Sequence, residues 1–294
     1  MKLQLTVYFT YIFIVYAGIV AYSCQSDSRP NKNTGSGNSF DNRRSPLMLD
    51  LIRAEEMFAA GEPRHALELI DELASKQPQW ADPYLLKGNI LTTVSQNGRA
   101  RSAYEKLVKI DPDYLSAWFK LGNNAYKNKQ YRQAINFYNQ ELTGKQANVL
   151  QSKDKQITML QIGRCYMHLG EADSALIIYK KCIKIDSLYS EVMGDLARLY
   201  TDNGEYKTAI DFANKAVALD KKNIDYKYSL GTVYLKTNQY MQAVTYLQEV
   251  ADQRPFYEGV YYNLGQAFIR SGNNIIGSQY LLKADSIQTL YSNL

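Results

Sequence analysis

Apolar residues recur along this chain at helical spacing, and the pattern itself repeats. Met159, Ile162, Gly163 and Tyr166 fall at i, i+3, i+4 and i+7 and make one apolar face. After Gly170 a second stripe runs through Ala175, Ile178, Tyr179 and Cys182. Gly170 breaks the first helix, and Asp173 or Ser174 can cap the second. Units of this kind start at Leu47, Ala81, Leu115, Gln156, Ser190, Ile224 and Glu258, spaced 34 residues apart except at one insertion. Places are numbered from each start. Place 8 holds Ala54, Gly88, Gly122, Gly163, Ala197, Gly231 and Gly265. Place 20 holds Ala66, Ala100, Ala134, Ala175, Ala209, Ala243 and Gly277. Two helices of a hairpin approach closely only where side chains are small, so these columns predict the crossing points. A fixed period of this length predicts a stacked all-α array of seven helical hairpins over residues 47–291. The insertion is at 149–155.

The spaced residues W-x2-L-G-x2-Y, A-x3-F and P carry a resemblance. The third unit reads Trp118, Leu121, Gly122, then Tyr131, Ala134 and Tyr138. The second reads Tyr84, Gly88, Ala100, Tyr104 and Pro112, and the sixth Leu230, Gly231, Tyr234, Tyr240, Ala243 and Pro255. The chain resembles the tetratricopeptide repeat (TPR) family. That resemblance implies a right-handed solenoid that holds partner proteins.

The ends depart from the pattern. Unit one has polar Asp50 and Arg53 at places 4 and 7, as an N-terminal cap facing water requires. The chain stops soon after unit seven, leaving no further helix to cover Ala284 and Ile287. The last helix, near Tyr280 to Leu290, is therefore expected to expose an apolar strip where a second copy or a partner docks.

The N-terminus adds a compartment. An uncharged run from Leu3 to Ser26 has its apolar centre at Val7 to Val20, the length of an export-signal core. It ends Ala21-Tyr22-Ser23-Cys24, which resembles a bacterial lipobox, although that motif favours Leu where Ala21 stands. The resemblance implies a signal peptide over 1–23 and a lipid anchor at Cys24. The alternative is an uncleaved inner-membrane signal anchor, since residues 3–23 reach the ~20 residues that span a bilayer. Both readings put the array outside the cytoplasm, in the envelope of a Gram-negative bacterium. An outer-membrane lipoprotein, periplasmic or surface-facing, is the expected form. Ser, Asn, Gly and charge dominate up to Pro46, so 24–46 is expected to be a tether. Its reach is about 25 Å.

Composition excludes several functions. There are 34 Lys and Arg against 29 Asp and Glu, a mild excess without a basic stripe, so no nucleic-acid partner is expected. The two histidines, His65 and His168, lie in different units, and no metal-ligand spacing or catalytic triad stands out. Neither enzymatic activity nor a cofactor is expected. Most of the 25 tyrosines fall on repeat places and are assigned to packing. Cys165 and Cys182 both lie in unit four. They read as small buried hydrophobes, with a disulfide as the alternative.

In the family that the chain resembles, first helices line a concave groove. By that resemblance places 2, 5, 9, 12 and 13 point into it. They carry Asn89, Phe119, Asn123, Tyr126, Lys127, Arg164, His168, Arg198, Tyr228, Lys236, Tyr262 and Arg270. A cationic groove with aromatics suits a peptide or helix bearing carboxylates, which Arg grips with two parallel hydrogen bonds. The family's carboxylate clamp is not expected, because Leu85 and Phe119 stand where it wants Lys. The implied function is a non-enzymatic scaffold or adaptor in the cell envelope. The alternative is a regulator that brings an envelope protease or cell-wall hydrolase to its substrate.

Overall fold

The structure, a computed structural model, describes residues 46–292. The expected signal peptide, Cys24 and the expected tether up to residue 45 lie outside the described residues. From Leu49 onward the described array forms one compact unit. Among the described residues there are fourteen α-helices and no strand. They form seven consecutive pairs: α1 (Pro46–Ala59) and α2 (Pro63–Lys76), α3 (Asp82–Thr93) and α4 (Asn97–Ile110), α5 (Ala117–Lys127) and α6 (Tyr131–Thr143), α7 (Ser152–His168) and α8 (Ala172–Ile185), α9 (Ser190–Asp202) and α10 (Tyr206–Leu219), α11 (Ile224–Lys236) and α12 (Tyr240–Gln253), and α13 (Val260–Arg270) and α14 (Asn274–Ser292). None is long and apolar enough to cross a membrane.

One device ends every first helix. Place 15 is left-handed in all seven units: Gly61, Ser95, Lys129, Gly170, Gly204, Asn238 and Gly272 have φ between 60° and 93°. The next amide then reaches back five residues, as Gln96 N–H does to Leu91 O (2.8 Å) and Glu205 N–H to Tyr200 O (2.8 Å). This satisfies carbonyls that a helix end would otherwise leave open. Identical stops in every unit give every hairpin the same turn.

The small residues at place 8 have a sharper role than spacing the helices. The ring at place 24 lies on that glycine. A Cβ on Gly88, Gly122 or Gly163 would stand 2.3 Å from Cε1 of Tyr104, Tyr138 or Tyr179. In units six and seven Leu247 and Leu281 take the ring's place over Gly231 and Gly265. Where place 8 is Ala54 or Ala197, place 24 is Ile70 or Ala213. All three rings are buried, Tyr104 with Leu91 and Leu107, Tyr138 with Ile135 and Ile162, and Tyr179 with Leu160 and Leu196. Each aliphatic side chain so buried contributes about 1.5–3 kcal/mol.

Two details differ from expectation. Only the first part of the insertion is irregular, because Ser152–Lys155 already belong to α7, and Leu150 is buried. The added turn gives Gln156 a buried place, where its amide donates to Cys182 O at 3.0 Å. At the other end, Ala284 and Ile287 are not bare. They pack on the cluster of Leu247, Val250 and Leu264, since α14 folds back on its own unit. The exposed apolar residues of α14 are instead Ile275 (76%), Leu282 (66%) and Leu290 (54%), with Ile276 at 36%. Cys165 and Cys182 are free thiols in separate core clusters.

Candidate functional site

Successive first helices bring groove positions of different units together. Tyr126 on α5 and His168 on α7 are hydrogen bonded, Oη to Nε2, at 2.8 Å. The His168 ring stacks on Tyr131 with centroids 4.6 Å apart and planes 4° from parallel. Tyr126 meets Tyr131 edge-on at 5.5 Å. Phe119, half-buried on α5, lies against Tyr138 at 5.7 Å. An aromatic shelf thus spans units three and four. Tyr131 was expected only to pack.

Beside the shelf is a charged bridge between units four and five. Arg164 Nε on α7 donates to Asp195 Oδ2 on α9 at 2.7 Å. Arg198, one turn on from Asp195, has a guanidinium nitrogen 3.7 Å from its other oxygen. Asp195 is 13% exposed and Arg198 50%. Sequence reasoning named both arginines and missed the aspartate that joins them. The signal was there, since an Asp three residues before Arg198 must share its helix face.

This changes the charge of the site. One carboxylate between two guanidiniums leaves a single net positive charge. His168 adds none at neutral pH, because burial first and Arg198 second hold its pKa below the ordinary value. The centre of the groove is therefore less cationic than its sequence suggests. Lys127, Lys236 and Arg270 are exposed at place 13 along the same array.

The other expected residues mostly build the array. The side-chain oxygens of Asn89 and Asn123 accept from Tyr104 Oη (2.9 Å) and Tyr138 Oη (2.8 Å), fixing the rings that cover Gly88 and Gly122. Burial pushes the Tyr104 hydroxyl up to about 12 and Tyr138 higher still, so both stay protonated donors. Tyr228 accepts from Asn263 Nδ2 at 2.8 Å and packs on Tyr257 at 4.6 Å. Its hydroxyl fills the space where a side chain at Gly259 would begin. Tyr262 is the exposed aromatic, at 55%. The groove set therefore resolves into a central site of Phe119, Tyr126, Arg164, His168 and Arg198, and further residues that brace the array or stand along it.

Comparison with known proteins follows this geometry. Family models described as tetratricopeptide repeat match residues 85–149 and 155–222. One described as anaphase-promoting complex, cyclosome, subunit 3 matches residues 202–273. No curated protein sequence matches the chain. Among solved structures it is similar to a tetratricopeptide repeat protein from Parabacteroides merdae. That match has TM-score 0.66 and 14% identity, over 82% of this chain and 93% of the other. It is also similar to PilW, described as a type IV pilus biogenesis factor, with TM-score 0.63 and 15% identity over 74% and 98%. A third likeness is to a chain of the APC/C Cut9–Hcn1 hetero-tetramer, with TM-score 0.64 and 17% identity over 94% of this chain. This chain spans half the length of that one. Such identities speak for the fold alone.

Proposed function

The chain is a tetratricopeptide repeat protein, and on that premise we propose that it is a non-enzymatic scaffold of the cell envelope. Its partner is a peptide or helix bearing a carboxylate, taken at the central groove site. One observation carries this reading: exposed Arg198 stands beside Arg164 and the Tyr126–His168–Tyr131 shelf. A guanidinium takes a carboxylate through two hydrogen bonds, and aromatics add contact area at low entropic cost. Export and a lipid anchor at Cys24 belong to the same proposal. They are supported by the apolar run before Ser23-Cys24. The likeness to a pilus biogenesis factor does not choose the machine served. Self-association through Ile275, Leu282 and Leu290 completes the proposal. Light scattering of wild type against Leu282→Lys checks it, and two monomers would dismiss it.

The main experiment is crosslinking and co-purification from membranes, wild type against Arg164→Glu/Arg198→Glu. A partner held by wild type and lost by the still-helical variant is the expected result. Equal capture by both would mean that the groove is only a wetted surface.

A further inference from the structure

The second unit carries a cleft at a place where the other units put a large side chain. Place 23 holds a large side chain in six units: Leu69, Phe137, Ile178, Phe212, Tyr246 and Tyr280. These residues cover the first helix of their own unit. Phe137 lies over Trp118 at place 4, with centroids 6.0 Å apart, and Tyr280 over Tyr261 at the same place, also at 6.0 Å. Phe212 stacks on Tyr200 at place 11 (5.5 Å). In unit two, place 23 is Ala103. Place 7, which is Leu or Ile in units three to seven, is Lys87. The missing bulk leaves a cleft of about 210 Å³ between α3 and α4, lined by Tyr84, Lys87, Arg99, Ser102, Ala103 and Lys106.

The lining is basic around the half-buried Tyr84 ring. Lys87 is paired with Asp71 of α2. Arg99 donates only to the neutral Gln96 side chain (2.7 Å), and Lys106 Nζ lies 6.0 Å from the Tyr84 ring centre. Among the described residues neither Arg99 nor Lys106 makes an ion pair. None of the lining residues belongs to the groove set.

We propose that this cleft is a second docking site, taking an acidic segment of a partner protein whose apolar or aromatic side chain fills the place left by Ala103. Two observations fix that chemistry. The slot is one that the repeat itself fills with Leu, Ile, Phe or Tyr, so a partner side chain of that kind restores the packing seen in the neighbouring unit. The rim carries two unmatched cations, which favour carboxylates on either side of that anchor. A ring in a desolvated slot with charges at its edge is the usual form of a binding hot spot.

The site is independent of the groove, and the test separates them. The probe is a fluorescein-labelled peptide, Asp-Glu-Phe-Asp-Glu, titrated by anisotropy into the full chain in nonionic detergent. Saturable binding is expected. Ala103→Phe, which copies Phe137, should weaken it about tenfold or more, as should Lys106→Glu or replacing the peptide's Phe with Ala. In an Arg164→Glu/Arg198→Glu background, which disables the groove as a rival site for the peptide, the binding that responds to Ala103→Phe should persist within about twofold, because distant sites act independently. If Ala103→Phe unfolds by circular dichroism, Ala103→Leu, which copies Leu69, takes its place. Binding unchanged by closing the slot, binding lost in the groove variant, or no saturation at roughly millimolar peptide would each overturn the proposal.

Discussion

Replacing Gly122 by Ala tests the packing rule that builds the array. In an open helix that change stabilises by about 1 kcal/mol. Here the new methyl stands 2.3 Å from Tyr138 Cε1. Carbon atoms rest at about 3.5–4.0 Å, so the ring must retreat by more than an ångström. Tyr138 is fully buried, and its hydroxyl is held by Asn123 at 2.8 Å. Retreat strains the core at a cost of about 1–3 kcal/mol and breaks a hydrogen bond worth about 1 kcal/mol. Less the helical gain, the net loss is about 1–3 kcal/mol. For an array of this size that lowers the melting temperature by roughly 2–4 °C per kcal/mol, read by circular dichroism. Hydrogen exchange should localise the loss to α5 and α6, since repeat arrays need not unfold in one step. Gly122→Ala/Tyr138→Ile, which copies Ala54 with Ile70, should lose at least ~1 kcal/mol less than the two single changes summed. Exposed Gly98 has nothing within 4 Å of its would-be Cβ and serves as the control. A Gly122→Ala protein that melts at or above wild type would refute the reasoning.

Three further outcomes follow from other residues. Lys129 is held at φ 60° where four of the other units have glycine. Lys129→Gly should therefore stabilise by about 1 kcal/mol in the same melt. Folding depresses the pKa of His168. The stability it contributes is present above its unfolded value near 6.5 and is lost as pH falls through the folded pKa. Wild type should therefore lose ground to His168→Gln in urea unfolding as pH drops from neutral to about 5. Cys165 and Cys182 are fully buried, and burial pushes both thiols up to about 12. In a Cys24→Ala chain neither should react with a thiol reagent until the array unfolds, and rapid labelling at neutral pH would contradict that.

The array was legible because its columns repeat: small at places 8 and 20, aromatic at others. What the columns hid was pairing. Gly122 and Tyr138 look like two separate preferences, yet the ring sits on the glycine, and unit five trades both for Ala197 and Ala213. A comparison of places 8 and 24 unit by unit would have shown it. Asn89 and Asn123 drew notice at a groove place, but their oxygens serve buried tyrosines. Asp195 escaped because place 6 is polar in most units and has no column of its own. Ser116 has φ 67° before α5, and the buried Glu141 carboxylate accepts its N–H at 3.1 Å and that of Phe119 at 3.2 Å. Nothing in a single serine announces a left-handed backbone. That conformation is set by the helix it introduces.

Asp195 gives the groove a character that its arginines alone would not. The face of Arg164 turned to α9 already holds a carboxylate 2.7 Å away. An acidic ligand arriving there is a rival to Asp195, and its capture is an exchange of one anion for another. The affinity seen is then only the difference between the two, with Asp195 ready to reclaim the guanidinium when the ligand leaves. If the proposed groove takes acidic clients, a joint that closes on itself would let it release them as readily as it takes them.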